Sequence, residues 1–267
     1  MKETCEVLEE GGVICAKTTN RSKVAIVVVG GLGDGLFTIP YVQPLMQFGY
    51  AHNLVVITAK FRSMPHYGLY TIEDDVSDLE RVNRLCDTSS FEKVFMIGHS
   101  TGCQVLMEYI QRQANSKETI ILQGPVSDRE YEESTNPMLH AQLEAAKASK
   151  GVLPFTHNHQ PITAERFLDL FQRGGREDWV SIGGCTRGLN PHEREMYSVI
   201  SRKDEYLRVE PETLRTHLES ITGMKKVFIV DGRHSLEGAE EVFLDVLLSL
   251  GVAGPSRKDK EQGGGKR

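Results

Sequence analysis

The chain has 267 residues, 39% apolar and 25% charged, with a formal net charge of 31 − 37 = −6. That is the composition of an ordinary globular chain, and it excludes a collagen, a coiled coil and a wholly disordered polymer. The acidic balance, with no basic stripe before the last dozen residues, argues against nucleic acid as a partner.

No apolar stretch reaches the ~20 residues that cross a bilayer, so no membrane span is expected. The N-terminal residues lack the apolar core of a secretory signal, and the chain is expected to be cytoplasmic. Its five cysteines are scattered and odd in number, with no metal-ligand spacing. They are read as reduced thiols.

The first element is a hairpin, with Cys5–Leu8 and Val13–Ala16 on either side of Gly11-Gly12. Val24–Val29 follows, an unbroken apolar run rich in β-branched residues, as expected of a strand buried on both faces. Runs of the same kind recur at Leu54–Ile57, Val94–Ile97, Thr119–Leu122, Met196–Ile200 and Val227–Val230. Helical periodicity lies between them at Ile39–Phe48, Ile72–Leu85 and Gln104–Gln113, and again at Thr213–Ile221 and Leu236–Leu250. Strands alternating with helices predict an α/β fold with a mostly parallel, doubly wound sheet.

Residues 126–191 interrupt that alternation. Helices are expected at Ser134–Ala148 and Thr163–Gln172, with Gly-, Pro- and His-rich loops at Gly151–Pro161 and Gly174–Leu189 and no strand. The segment reads as a helical cap inserted into a single domain of residues 1–252, roofing the carboxyl edge of the sheet where ligands bind. Met138, Leu139, Phe167 and Leu170 are its expected contacts with that edge, and Phe61–Tyr70 is the alternative source of specificity. Residues 253–267 carry almost no apolar side chain and are expected to be disordered.

The chemistry centres on Gly98-His99-Ser100-Thr101-Gly102. The bare G-x-S-x-G pattern is weak, but here it joins a strand to an amphipathic helix, the context of a nucleophile elbow. A serine hydroxyl needs a base. Of nine histidines, His234 follows the last strand at the same sheet edge, whereas His99 is expected to point away. His157, His159 and His192 lie where they can line a pocket; His157-Asn158-His159 lacks the carboxylate asked of a metal site. The imidazole in turn needs an acid. Asp204, on the loop after Met196–Ile200, completes the order serine, acid, histidine; Glu205 and Asp128 are the alternatives. Backbone amides of Leu32, in the glycine loop after the first parallel strand, and of Thr101 are the natural oxyanion donors. That loop is neither G-x-G-x-x-G nor a P-loop, and neither a cofactor nor a metal is expected.

Taken with these motifs, Val29-Gly30-Gly31-Leu32, Leu122–Glu130 (LQGPVSDRE), Asp204-Glu205-Tyr206 and Gly232-Arg233-His234 carry a resemblance. The chain resembles a eukaryotic α/β-hydrolase family that includes fungal fusarinine C (siderophore) esterases. The resemblance implies an α/β-hydrolase fold with a helical cap, Ser100, Asp204 and His234 as a triad, and Leu32 and Thr101 as the oxyanion hole. It also implies that Asp128 is a structural residue paired with Arg129. The expected function is a serine esterase acting on a small-molecule ester through an acyl-enzyme. A thioesterase or amidase with the same triad, or a non-catalytic binding protein of this fold, are the rival readings.

Overall fold

A computed structural model describes residues 4–113, 118–182, 189–192 and 194–253. The expected hairpin forms from β1 (Cys5–Glu10) and β2 (Val13–Thr18), with Glu10 opposite Val13. Gly11 and Gly12 both have positive φ (58° and 87°), the conformation required by a two-residue turn whose twist matches the strands.

The parallel strands are β3 (Val24–Val29), β4 (Val55–Lys60), β5 (Lys93–His99), β6 (Thr119–Gln123), β9 (Met196–Ser201) and β10 (Met224–Val230). With the hairpin they form one eight-stranded sheet of order β1-β2-β4-β3-β5-β6-β9-β10. Only the β1–β2 and β2–β4 pairings are antiparallel. Strand β3 alternates across the sheet: Ala25, Val27 and Val29 enter one core, Ile26 and Val28 the other. Each valine or isoleucine side chain so removed from water contributes roughly 1.5–3 kcal/mol.

One face is covered by α2 (Ile72–Leu85), α3 (Thr101–Arg112) and α7 (Pro211–Glu219), the other by α1 (Val42–His52) and α8 (Glu240–Ser249). Helix α2 begins where its periodicity does because Thr71 and Asp74 form a reciprocal capping box.

Between β6 and β9 the expectations need correction. The single helix Ser134–Ala148 is two, α4 (Asp128–Thr135) and α5 (Leu139–Lys147). Pro137 separates them, since proline excludes the preceding residue from helical backbone. Residues 151–163, expected as loop, form an antiparallel hairpin of β7 (Val152–His157) and β8 (Gln160–Thr163). Its turn uses Asn158 and His159 at positive φ (49° and 62°) rather than glycine. Pro154 and Pro161 are tolerated because this two-stranded sheet consists only of edges.

Helix α6 (Ala164–Phe171) follows, capped by Thr163, whose side chain accepts the Arg166 N–H. Leu139, Leu153, Ile162, Phe167, Leu170 and Phe171 make a separate apolar cluster inside the insertion, and Leu32 packs against it. Met138 is 59% exposed and is not part of that cluster.

Cys5, Cys15, Cys86 and Cys103 are free thiols; Cys185 and the tail from 254 lie outside the described residues. No helix among the described residues is long and apolar enough to cross a membrane.

Candidate active site

Strand β5 passes into α3 through Ser100 alone, whose backbone sits at φ 55°, ψ −126°. A non-glycine residue there costs on the order of 1–3 kcal/mol and persists only when its surroundings enforce it. They do so through close approach. A Cβ at residue 102 would lie 2.3 Å from the Val29 carbonyl oxygen, and one at residue 98 would lie 2.7 Å from the Gly102 carbonyl oxygen. Only glycine lets the turn pack this tightly. Ser100 is thereby placed at the carboxyl edge of the sheet and at the N-terminus of α3.

His234 lies on the loop after β10 and is 6% exposed. Its Nδ1 is 2.8 Å from Asp204 Oδ2, on the loop after β9. The other two candidate acids stand elsewhere. Glu205 Oε2 accepts the backbone N–H of His234 at 3.0 Å and Oε1 meets Arg233 at 3.3 Å, so this carboxylate holds the loop rather than the ring. Asp128 begins α4 and accepts from Thr101 Oγ1 at 3.4 Å. The implied pairing of Asp128 with Arg129 is not present: Arg129 turns to Asp178 and Glu133, at 3.2 and 2.6 Å. Backbone at the start of a helix directs Arg129 away from the edge that Asp128 faces.

Ser100, Thr101, His234, Asp128 and Leu32 line one cavity of about 250 Å³. Gly31, Asp34, His99 and Tyr206 complete the wall on the sheet side. The insertion supplies Val126, Tyr131, Glu132, His157, Asn158 and Phe171; His159 and His192 do not line it. Leu32 sits in a loop shaped by Asp34, whose Oδ2 accepts the Gly31 N–H at 2.8 Å. The Thr101 N–H is the first of α3 and so has no partner within the helix.

His99 corrects an expectation, since it faces the cavity instead of pointing away. It is 5% exposed, and its ring lies 5.0 Å from that of His234. Burial, helped by His234, pushes its pKa down to about 4, so it is neutral at physiological pH. Burial acts in the opposite sense on Asp128, which is pushed up to about 6 although Arg166, His157 and His234 oppose the shift.

Sequence reasoning left out one further group and gave His157 no partners. Gln123, at the end of β6, is fully buried. Its Nε2 donates to the His234 carbonyl at 2.9 Å and its backbone carbonyl accepts the Ser100 N–H at 3.0 Å. On the cap side, His157 Nδ1 and Nε2 engage Tyr67 Oη at 2.8 Å and Glu132 Oε1 at 3.0 Å. That links the hairpin to α4 and to the Phe61–Tyr70 segment. The only signal for Gln123 was a polar residue at a strand end, whereas His157 lines the cavity as its place in the insertion suggested. Among the described residues, no group of three or more His, Cys, Asp or Glu side chains is arranged to hold a metal.

The family model described as "Protein of unknown function (DUF1749)" matches residues 12–190, more than half of the chain. The chain belongs to that family. A UPF0613 protein of Schizosaccharomyces pombe is 31% identical over 190 residues, 61% of this chain and 59% of the relative. The fusarinine C esterase of Aspergillus fumigatus is 25% identical over 215 residues, covering 57% and 58%. The chain spans about three-fifths of the length of these curated relatives.

Among solved structures, a siderophore hydrolase from A. fumigatus superposes with a TM-score of 0.68 at 18% identity, covering 93% of this chain and 96% of that one. A soluble variant of monoglyceride lipase from Saccharomyces cerevisiae gives 0.61 at 14%, covering 92% and 94%. The fold is that of the α/β-hydrolases, and the family resemblance drawn from the motifs holds, with a fungal siderophore esterase among its relatives.

Proposed function

We propose that the protein is a serine hydrolase that cleaves carboxylic esters of small molecules through an acyl-enzyme. The observation that carries this reading is the 2.8 Å contact between Asp204 Oδ2 and Nδ1 of His234, which lines the same cavity as Ser100. With Asp204 accepting from Nδ1–H, the lone pair of His234 is on Nε2, where it can receive the Ser100 proton. No hydrogen bond joins Ser100 Oγ to His234 among the described residues; such contacts are commonly long before substrate arrives.

In the proposed reaction Oγ attacks the ester carbonyl and its proton passes to Nε2. The carbonyl oxygen becomes an anion facing the N–H groups of Leu32 and Thr101, each such donor being worth about 3–4 kcal/mol in comparable sites. Collapse breaks the bond to the alcohol, which leaves with the proton from Nε2. Water then repeats the sequence on the acyl-serine, releasing the acid and restoring the hydroxyl. The name of the fusarinine C esterase relative supports an ester substrate, and a siderophore ester is one candidate.

The experiment is covalent labelling with a fluorophosphonate probe, which requires an activated serine. Labelling at Ser100 that is lost in Ser100→Ala is the expected result. An unlabelled wild-type protein would favour a non-catalytic binding protein of this fold. A matched panel of oxygen esters, thioesters and amides separates the esterase from a thioesterase or amidase.

A further inference from the structure

The cavity beside Ser100 is walled by carboxylates and by no fixed cation. Asp34, Asp128 and Glu132 line it, and among the described residues no Lys or Arg side chain does. Two of these acids are fully engaged. Asp34 accepts from the Gly31 N–H and the Thr38 hydroxyl, both at 2.8 Å. Glu132 meets His157 Nε2 at 3.0 Å and Asn136 Nδ2 at 2.9 Å, one with each oxygen.

Asp128 differs. Its Oδ2 accepts from Thr101 Oγ1 at 3.4 Å, beyond the usual range for a hydroxyl donor. Its Oδ1 accepts no hydrogen bond among the described residues. Asp128 is partly buried at the cavity wall; a carboxylate so placed normally collects several donors, and the shortfall leaves a place for a donor on the substrate.

The surroundings sharpen the chemistry. The groups acting on Asp128 are Arg166 from α6, His157 from β7, His234 from the loop after β10, and Glu177, with Tyr67 and Cys103 behind. Arg166 is the only permanent cation among them. It is already paired with Asp75 at 3.1 Å, so it neutralises Asp128 incompletely. Tyr131 and Phe171 add aromatic faces to the same cavity, and such faces attract cations. The rim shows that attraction: the Arg208 guanidinium lies 4.4 Å from the centre of the Tyr131 ring.

We infer that Asp128 is the specificity-determining residue of this site and that the substrate is an ester bearing an ammonium group, held by Asp128 while its carbonyl lies at Ser100. The inference rests on the proposed hydrolase reading for the position of the ester. The cation site itself stands on Asp128 and the cavity.

Two measurements test it. The first compares hydrolysis of 5-aminopentyl acetate with that of hexyl acetate, which differ by an ammonium in place of a methyl. Wild-type kcat/KM should favour the amine by about ten- to hundredfold at roughly pH 7.5, in keeping with a charge-assisted hydrogen bond. The preference should grow as pH rises through about 6, where Asp128 gains its charge, and Asp128→Asn should bring the ratio close to one.

The second is calorimetric titration of Ser100→Ala with hexylammonium and with hexanol. Tighter binding of the cation by about tenfold or more, lost when Asp128→Asn is added, is expected. A ratio near one in the wild-type protein, or a preference that Asp128→Asn leaves unmoved, overturns the assignment. Asp128-dependent cation binding without ester cleavage or probe labelling would instead sink the hydrolase reading and leave the cation site in place.

Discussion

Gln123 and His234 are joined by a 2.9 Å hydrogen bond from the amide Nε2 of the first to the backbone carbonyl of the second. The backbone carbonyl of the same glutamine accepts the Ser100 N–H, and its Oε1 meets His99 Nδ1. One buried residue thus fixes the proposed nucleophile and the proposed base relative to each other, although they lie 134 positions apart along the chain. Beside it, residue 124 has φ 59° and a Cβ there would come 3.2 Å from His234 Nδ1, so any residue but glycine is strained and crowds the imidazole.

Replacing Gln123 with leucine, similar in size but without the amide, should therefore disturb geometry more than binding. Loss of about tenfold to a hundredfold in kcat with a smaller change in KM is expected, because small displacements of reacting groups are costly. Steady-state kinetics checks it, with the rate of fluorophosphonate labelling falling in parallel. An equal loss in KM alone would mean that the residue shapes the pocket and not the alignment.

The two adjacent candidate acids, Asp204 and Glu205, should separate sharply. Asp204→Asn should lower turnover by about 10⁴, the effect of the same change in a well-studied triad, because the imidazole takes up the wrong tautomer. Glu205→Gln, which touches the backbone N–H of His234 and not its ring, should cost about tenfold or less, the loss of one exposed loop contact. Equal losses from the two substitutions would displace Asp204 from its proposed role.

Strain at Ser100 gives a stability test that does not depend on substrate. Glycine is at ease at φ 55°, ψ −126° and alanine is not. Ser100→Gly should raise Tm by about 2–4 °C over Ser100→Ala, equivalent to about 1 kcal/mol in a chain of this size. Both should be inactive, and differential scanning calorimetry makes the comparison.

Glu177 sets an alkaline limit on stability. It is 2% exposed against Arg166, and burial pushes its pKa up to about 8 from an ordinary value of 4.5. Between those values the folded chain binds more protons than the unfolded one, so this group's contribution is complete below about pH 4.5 and is lost as pH rises to about 8. Asp128 acts in the same sense over a narrower window ending at about 6. Glu177→Gln, which cannot ionise, should lose less Tm than the wild-type protein between about pH 5 and 8, by about 2–4 °C or more. Parallel pH profiles for the two proteins would show that Glu177 is ionised when folded.

The parallel sheet, its helices and the Ser100 elbow were legible in the sequence because each is encoded locally. An unbroken apolar run, a 3.6-residue period and two glycines around one serine all act over a few neighbouring residues. The hairpin at 152–163 was missed because its turn lacks glycine and its strands carry Pro154 and Pro161, which only a freestanding two-stranded sheet accepts. Chain order and the family resemblance favoured Asp204 over Glu205 and Asp128, but all three follow strand ends on the same edge, so the sequence alone left the contact open. Only the folded chain decides which carboxylate meets the imidazole: adjacent parallel strands β9 and β10 bring Asp204 within 2.8 Å of His234, while β6 sends Asp128 into the start of α4, across the cavity wall. Gln123 depended on tertiary structure for the same reason. A hydrogen bond is a matter of ångströms, and the order of strands in the sheet, not their order in the chain, sets those distances.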